Sequence, residues 1–335
     1  MLRFIVKRLL MAIPVLMGIV TIIFFVMRVF AEDPVALLLG EAATGQAVAD
    51  LRAHLGLDQP VVIQYVKFLQ QVAAGDLGVS IHTKLPVLPE IMKRLPATIE
   101  LGLFAIAIST IIGISVGIIS AVFQNTILDR IIVFLGLIGA SLPVFWMALM
   151  LINLFGVNLR WLPISGRIPV GMNIKHITGF LLLDSLLSGN AGGFVTSLRH
   201  IIMPATCLGI ISAAGLARLT RSTMLEVIRQ DYIRTARSKG LGEKAVILKH
   251  ALKNASIPLV TALGMQLGGI VGGAVLTETI FSWPGVGTYM VIGINQSDFA
   301  VVQAGALVLA VSFVLANLLV DILYGYLDPK IRSNQ

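Results

Sequence analysis

Two motifs and one set of residues in the chain have the types and spacing to raise a question of chemistry. Gly113-Ile114-Ser115-Val116-Gly117 matches G-x-S-x-G, the elbow that presents a serine nucleophile in many hydrolases. That chemistry needs a sharp turn between a strand and a helix. Here the pentapeptide lies in the middle of an uncharged apolar run, so its spacing predicts helix packing and not a nucleophile. The histidines, at positions 54, 82, 176, 200 and 250, form no H-x-x-x-H pair and have no carboxylate at ligand spacing, which argues against a metal site. The chain has no G-x-x-x-x-G-K-S/T phosphate loop. If ATP drives its work, another chain binds the nucleotide.

The second motif is a basic amphipathic stretch, Asp231 to Pro258, which carries Arg234, Arg237, Lys239, Lys244, Lys249 and Lys253. Tyr232 to Lys239 suit a short helix, Gly240 and Gly242 supply a turn, and Glu243 to Asn254 suit a second helix. Ala245, Leu248 and Leu252 mark an apolar stripe at helical spacing. Pro258 falls near the start of the next apolar segment, where its missing N–H does no harm. A loop held on anionic lipid, at about 1 kcal/mol per Lys or Arg, needs only the charge. A helix that docks in a partner's groove also needs the two-glycine turn and the small, apolar face. From the residues alone both readings stand.

The elements that must position this stretch follow from composition. Charged residues make up 13% of the 335, too few to solvate the surface of an ordinary soluble domain. Six uncharged runs occur: Leu9 to Met27, Leu101 to Leu128, Ile131 to Leu159, Ile201 to Ala217, Ala255 to Thr277 and Ala300 to Val320. About 20 apolar residues at roughly 1.5 Å each cross a hydrocarbon core of roughly 30 Å. The expectation is an all-α polytopic membrane protein with six transmembrane helices. Placing both termini in the cytoplasm puts 15 of the 25 Lys and Arg inside, in much the shorter segments, and leaves net charges of +9 inside and −1 outside. The basic balance is thus a signal of topology and gives no reason to expect nucleic acid. The basic N-terminus followed by Val29-Phe30-Ala31 has the look of a signal peptide, but its apolar run is too long for one, and an uncleaved first helix is expected. Cys207, inside the fourth run, reads as a buried thiol.

The expected organisation is a tail and first helix over 1–30, an outer segment over 31–95 and a core domain over 96–335. The core includes a second outer segment, 160–199, and a cytoplasmic loop, 229–254. In the second outer segment, His176 to Gly189 is apolar but short and holds Asp184, which suits an interfacial or re-entrant helix better than a seventh crossing. Gly264, Gly268 and Gly272 repeat at spacing four and mark a crowded position in the fifth helix, close to a translocation path. Asn153, Asn158 and Gln266 are further candidates to face a polar path. Glu278, Trp283, Pro284 and Gly285, at the outer end of the fifth helix, are candidates for an outer gate or for contact with an external protein, with an interfacial carboxylate and aromatic belt as the plainer alternative. Arg218 and Arg221 are expected to anchor the fourth helix at the lipid surface.

Several stretches together resemble a known family: Leu55 to Ser80, Arg94 to Leu103, Arg218 to Gly240, Thr277-Glu-Thr-Ile-Phe-Ser-Trp-Pro-Gly-Val-Gly287 and Asn317 to Arg332. They are similar to the permease subunits of bacterial ATP-binding-cassette importers, in the peptide/nickel branch, and the resemblance covers nearly the whole chain. The long outer segment is similar to that of the first of the two permeases such systems carry. The stretch at Ile177-Thr178-Gly179-Phe180 resembles the dipeptide members. Ala31-Glu-Asp-Pro34 stands where Pro-Gly-Asp-Pro is common. The basic hairpin looks like the family's coupling motif, Glu-Ala-Ala followed after three residues by Gly. Ala236 and Gly240 match the second alanine and the glycine, Thr235 replaces the first alanine and Arg234 the glutamate.

The resemblance implies a type I importer permease fold in the bacterial inner membrane and a subunit that is not itself an enzyme. It also implies a second, homologous permease, two cytoplasmic ATP-binding subunits that hold ATP and Mg, and a periplasmic solute-binding protein. The coupling loop would use Tyr232, Arg234, Thr235, Ala236, Lys239, Gly240 and Leu241. Di- or oligopeptides are the expected cargo, with nickel, glutathione, haem and antimicrobial peptides as alternatives. An ion-coupled secondary transporter would favour ionisable residues near the midplane and an internal repeat, and neither is seen.

Overall fold

A computed structural model describes residues 2–30, 45–54 and 57–327. Residues 31–44, with the Ala31 to Pro34 variant, and 328–335, with Lys330 and Arg332, lie outside the described residues. Among the described residues the regular structure is helical, apart from one isolated antiparallel bridge between Val79 and Pro86. The helices are α1 (Leu2–Phe30), α2 (Gly45–His54), α3 (Val61–Ala73), α4 (Val87–Val122), α5 (Ile127–Ser141), α6 (Val144–Leu151), α7 (Leu181–Leu187), α8 (Ala191–Ile228), α9 (Asp231–Ser238), α10 (Glu243–Ala245), α11 (Leu252–Ile280), α12 (Val286–Asn295) and α13 (Phe299–Leu327).

The spine is α4 against α8, helices of 36 and 38 residues. At about 1.5 Å per residue they are roughly 55 Å long, so their ends project beyond a hydrocarbon core of about 30 Å. Their axes approach closely because both faces are small. A Cβ at Gly117 would stand 2.7 Å from the Ala217 carbonyl and 2.9 Å from Thr220 Cγ2, and one at Gly209 would stand 2.8 Å from the Ala105 carbonyl. Gly113 lies against Leu216 in the same seam, so the glycines of the G-x-S-x-G match are packing surfaces in mid-helix. Ala97, Leu101, Ala105, Ile201, Ala205 and Leu208 form the core between the two rods.

Both rods begin earlier than the uncharged runs indicate. The expected boundary at 95 falls inside α4, which starts at Val87 after Pro86. Glu90, Lys93 and Arg94 lie in its first turns, and both basic side chains pair with Glu90 at 2.8 Å, so charge marks helix here and not loop. Likewise α8 starts at Ala191, inside the 160–199 segment, where Asn190 accepts the Gly193 N–H at 2.8 Å as its cap. Within that segment α7, seven residues long, is too short to cross a membrane. It packs on the bundle through Leu181 and Leu182.

The third uncharged run is not one straight span. Leu142 adopts an extended backbone, the conformation that the following Pro143 favours, and the helix breaks. Ile127–Ser141 and Val144–Asn158 meet at 107°. The second arm ends in a π-helical turn, Ile152–Asn158. Among the described residues four further helices are long and apolar enough to cross a membrane, over Arg8–Arg28, Val87–Val122, Ala191–Ile228 and Phe299–Val320. α11 adds a helix of 29 residues that packs against α4, α8 and α13. The short α12 was not anticipated from the sequence; it lies between the ends of α11 and α13 and packs on both and on α4.

Candidate functional site

The basic stretch folds as an elbow. α9 closes with the two hydrogen bonds of a Schellman cap: Leu241 N–H donates to Ala236 O at 3.4 Å and Gly240 N–H to Arg237 O at 2.9 Å. This cap requires a left-handed residue, and Gly240 supplies it with φ +77°. The side chains of Arg237 and Glu243 bridge the turn, with Nη2 donating to Oε1 at 2.7 Å and Nε to Oε2 at 3.2 Å. The bonded guanidinium holds the Glu243 carboxyl below its ordinary pKa. Asn254 donates to the Tyr232 hydroxyl at 2.8 Å and ties the start of α9 to the returning helix.

One face of the elbow is built into the bundle. Ile233 and Ala236 are buried with Val246, Ile247, Ala251, Ala255 and Met224. The other face is open: Arg234, Thr235, Lys239 and Gly240 are exposed, and Tyr232 and Leu241 retain about two-fifths of their surface. Ala236 is therefore small because it sits against the core, and the exposed residues form a basic ridge with an apolar residue at each end. Such a surface suits a groove on another protein.

Three expectations about this region need correction. The second helix does not end at Asn254. α10 passes through a π-helical turn, Val246–Ala251, directly into α11, so Glu243 to Ile280 is one continuous helical rod and Pro258 lies inside it. The buried stripe is Val246, Ile247, Ala251 and Ala255, while Leu248 is 57% exposed. The π turn inserts an extra residue and shifts the phase, so that Leu248 turns outward while Ala245 is half-buried and Leu252 still packs against the edge of the cluster. Arg221 is not a free lipid anchor either. It donates from Nε and Nη2 to the two oxygens of Asp129 at 2.9 Å, and the buried carboxylate also accepts from the Ser120 hydroxyl and, at 3.0 Å, from Asn125 N–H. Arg218, one turn earlier, is exposed.

At the opposite end of the bundle the structure gathers Glu278, Trp283 and Gly285 with α4. Glu278 and Trp283 are buried, and Pro284 is exposed. The Thr98 hydroxyl donates to Glu278 Oε1 at 2.6 Å, and Thr288 N–H, in the first turn of α12, donates to Oε2 at 3.1 Å. Thr98 in turn accepts Val286 N–H at 2.9 Å. Trp283 Nε1 donates to the Ala97 carbonyl at 2.9 Å. A Cβ at Gly285 would fall onto the Glu278 carboxylate, so any side chain there would displace Glu278 from its hydrogen bonds. The plainer expectation of an interfacial carboxylate and belt tryptophan gives way to an interior latch joining α4, α11 and α12. Beside it, the buried Arg167 pairs with Glu100, donates to Gly179 O at 3.1 Å and lies over the Trp283 ring at 5.5 Å, holding the second outer segment to the latch.

The pathway candidates do not converge on one place. Gln266 joins three helices: it accepts from the Ser109 hydroxyl at 3.2 Å and donates to Ser212 O at 3.3 Å. Gly268 faces α13, where a Cβ would meet Phe313 and Asn317. Gly272 lies one turn further along, and its surroundings are outside the described residues. Asn153 and Asn158 sit exposed on the π turn. The pairs Asp129–Arg221, Glu100–Arg167 and Glu278–Thr98 were missed because their partners are far apart in sequence; an acidic residue inside or beside an apolar run was the available signal.

Residues 113–333 match the family described as "Binding-protein-dependent transport system inner membrane component", and residues 1–102 match the N-terminal family of such membrane components. The chain belongs to this family. It is thus a permease of the bacterial inner membrane and not a catalytic subunit. The permease is 47% identical to the dipeptide transport system permease protein of Alkalihalophilus pseudofirmus, over 99% of this chain and all of that one. It is 44% identical to the di/tripeptide transport system permease protein of Pseudomonas aeruginosa and to the dipeptide transport system permease protein of Escherichia coli, in each case over the full length of both chains. Among solved structures the permease resembles the inward-facing methionine ABC transporter MetNI, with a TM-score of 0.50 and 19% identity, over 69% of this chain and 93% of that one. That likeness speaks for the fold alone.

Proposed function

We propose that this permease imports di- or oligopeptides as one half of a heterodimer with a second, homologous permease. In this reading six spans cross the membrane: α1, α4, the bent pair α5–α6, α8, α11 and α13. Both termini and the elbow lie in the cytoplasm, and segments 31–95 and 160–199 face the periplasm. The exposed ridge, Tyr232, Arg234, Thr235, Lys239, Gly240 and Leu241, docks on one of the two ATP-binding subunits, which carry ATP and Mg. Movement of those subunits reaches the bundle through Ile233 and Ala236, which are seated in its core, and through the unbroken rod from Glu243 to Ile280. A periplasmic solute-binding protein delivers the peptide. Gln266, Gly268, Gly272, Asn153 and Asn158 are proposed to border the pathway, with Glu278, Trp283, Pro284 and Gly285 at its outer gate.

The observation that carries the cargo class is the similarity, over essentially the whole chain, to permeases named for dipeptide transport. The test is to co-express the chain with a second permease, ATPases and a binding protein from the same organism and to follow uptake of a labelled dipeptide into membrane vesicles. ATP-dependent uptake that unlabelled di- and tripeptides abolish supports the proposal. Uptake that only nickel, glutathione, haem or an antimicrobial peptide competes would reassign the cargo, and uptake driven by an ion gradient without ATP would remove the importer reading.

A further inference from the structure

The first outer segment contains a feature that a passive loop does not need. Residues 79–86 form a tight hairpin: Ser80 N–H donates to Leu85 O and Lys84 N–H to Ser80 O, both at 3.0 Å, around the Val79–Pro86 bridge. Lys84, at the tip, is held in the left-handed region at φ +58°. Its root is fixed to a distant part of the chain. Asp298, in the corner between α12 and α13, is 1% exposed, and its Oδ2 accepts from the Ser80 hydroxyl at 2.5 Å and from Ile81 N–H at 3.0 Å. The second oxygen, Oδ1, has no hydrogen-bond partner among the described residues. A desolvated carboxylate held by neutral donors alone is a demanding way to fasten a loop. His82 adds a second tie, its Nε2 lying 2.7 Å from the Gln296 carbonyl at the end of α12, but the rest of the tip is open, with Val79 and Leu85 each 52% exposed and Thr83 and Lys84 exposed beside them.

Asp298 also fixes the far end of α12, since its N–H donates to Gly293 O at 2.7 Å. The near end is the one capped by Glu278. A continuous line of bonded groups therefore runs from the exposed hairpin through Asp298, along α12 to Glu278, and into the rod that ends at the elbow.

We propose that hairpin 79–86 is the lever on which a soluble external protein bears, through an apolar patch flanked by carboxylates that matches Leu85, Val79 and Lys84, with Asp298 as the positioning residue that passes the load to α12. This rests on the importer reading, in which the hairpin faces outward and a binding protein docks there. Lys84 acts in docking. Asp298 acts after docking.

The test uses the assembled permease–ATPase complex in lipid nanodiscs, with ATP hydrolysis measured while peptide-loaded binding protein is titrated in. Lys84→Glu is expected to raise the half-saturating concentration of binding protein about tenfold, as loss of a complementary rim charge does, and to leave the maximal stimulation unchanged. Asp298→Ala is expected to leave half-saturation unchanged and cut maximal stimulation about fivefold or more, as a broken coupling does. Asp298→Asn keeps an oxygen for Ser80 and Ile81 and should retain most of the stimulation. Ser80→Ala, which removes one donor and little else, should fall between them and carries the test if Asp298→Ala does not assemble. Basal hydrolysis stays near wild type in each variant. Full stimulation in Asp298→Ala and Ser80→Ala, or an Asn variant as impaired as the Ala variant, overturns the lever while the importer reading stands. A wild-type complex with no ATP hydrolysis at all overturns both.

Discussion

Replacing Arg221 by glutamine tests whether the buried carboxylate at Asp129 holds α5 to α8. The Asp129 side chain is 5% exposed and that of Arg221 28%, joined by two bonds of 2.9 Å. Removing one partner of a fully buried pair costs about 3–5 kcal/mol, because the other charge is left uncompensated. Here Ser120 and Asn125 still donate to the carboxylate, and Arg221 is partly solvated, so the expected loss is at the low end, about 2–3 kcal/mol. That is roughly a 30- to 150-fold shift toward the unfolded state. Asp129→Asn alone leaves only a partly solvated guanidinium unpaired and should cost less, about 1–2 kcal/mol. In the double variant no charge remains to be stranded, so it should be more stable than the sum of the singles by about 1–2 kcal/mol. Reversible unfolding in mixed micelles by titration with a denaturing detergent, followed by tryptophan fluorescence, measures all four states. A coupling below about 0.5 kcal/mol would refute the reasoning, since residues that share no interaction add to within that margin.

Other outcomes follow from the same geometry. Gly117→Leu places a side chain against the Ala217 carbonyl, which is backbone and cannot move aside, so it should destabilise the bundle by about 1–3 kcal/mol in the same unfolding assay, whereas Gly136→Leu, with open space around it, should not. At Gly240 nothing lies within 4 Å of the place a Cβ would occupy, so conformation and not space limits substitution. Gly240→Asn should preserve ATP-dependent uptake better than Gly240→Val, and Gly240→Glu should insert normally yet hydrolyse ATP without transport. Asp184 in the second outer segment is pushed up by burial, but the Thr178 hydroxyl and the N–H groups of Thr178 and Gly179 outweigh this and leave its pKa lowered. A carboxylate depressed in the folded state stabilises above its unfolded pKa of about 4 and loses that contribution as pH falls through the lower folded value. Amide exchange at Thr178 and Gly179 should therefore remain slow from neutral pH to about pH 4 and Asp184→Asn should speed it throughout that range.

Much of this architecture was legible in the sequence, and the parts that were not have physical reasons. Uncharged runs locate the middles of the long helices but not their ends, because Lys93 and Arg94 pair with Glu90 on the surface of α4 and Arg199 and His200 interrupt α8 without ending it. The bend at Leu142 was visible in principle, since a proline restrains the residue before it, yet the surrounding run is so apolar that composition masked it. Gly240 was recognised as the turn because only a left-handed residue closes that cap. The register of the helix that follows was not, because a π turn leaves the 3.6-residue period on which a stripe is counted. Glu278 and Asp298 show the remaining gap. Glu278 looks in sequence like a charge near a helix end at the membrane surface and Asp298 carries no motif, and each becomes an interior latch only when Thr98 or Ser80, far away in the chain, is brought to it.

The claim that the elbow is where ATP hydrolysis meets transport can be tested most directly by photo-cross-linking. A benzophenone amino acid in place of Arg234, on the exposed face of α9, should capture the ATP-binding subunits in intact cells, and the capture should change in yield when ATP is trapped. The same probe in place of Lys84 should capture an external protein and never an ATPase. Adducts from position 234 with lipid alone, or labelling of that position by a reagent that cannot enter the cell, would contradict the account.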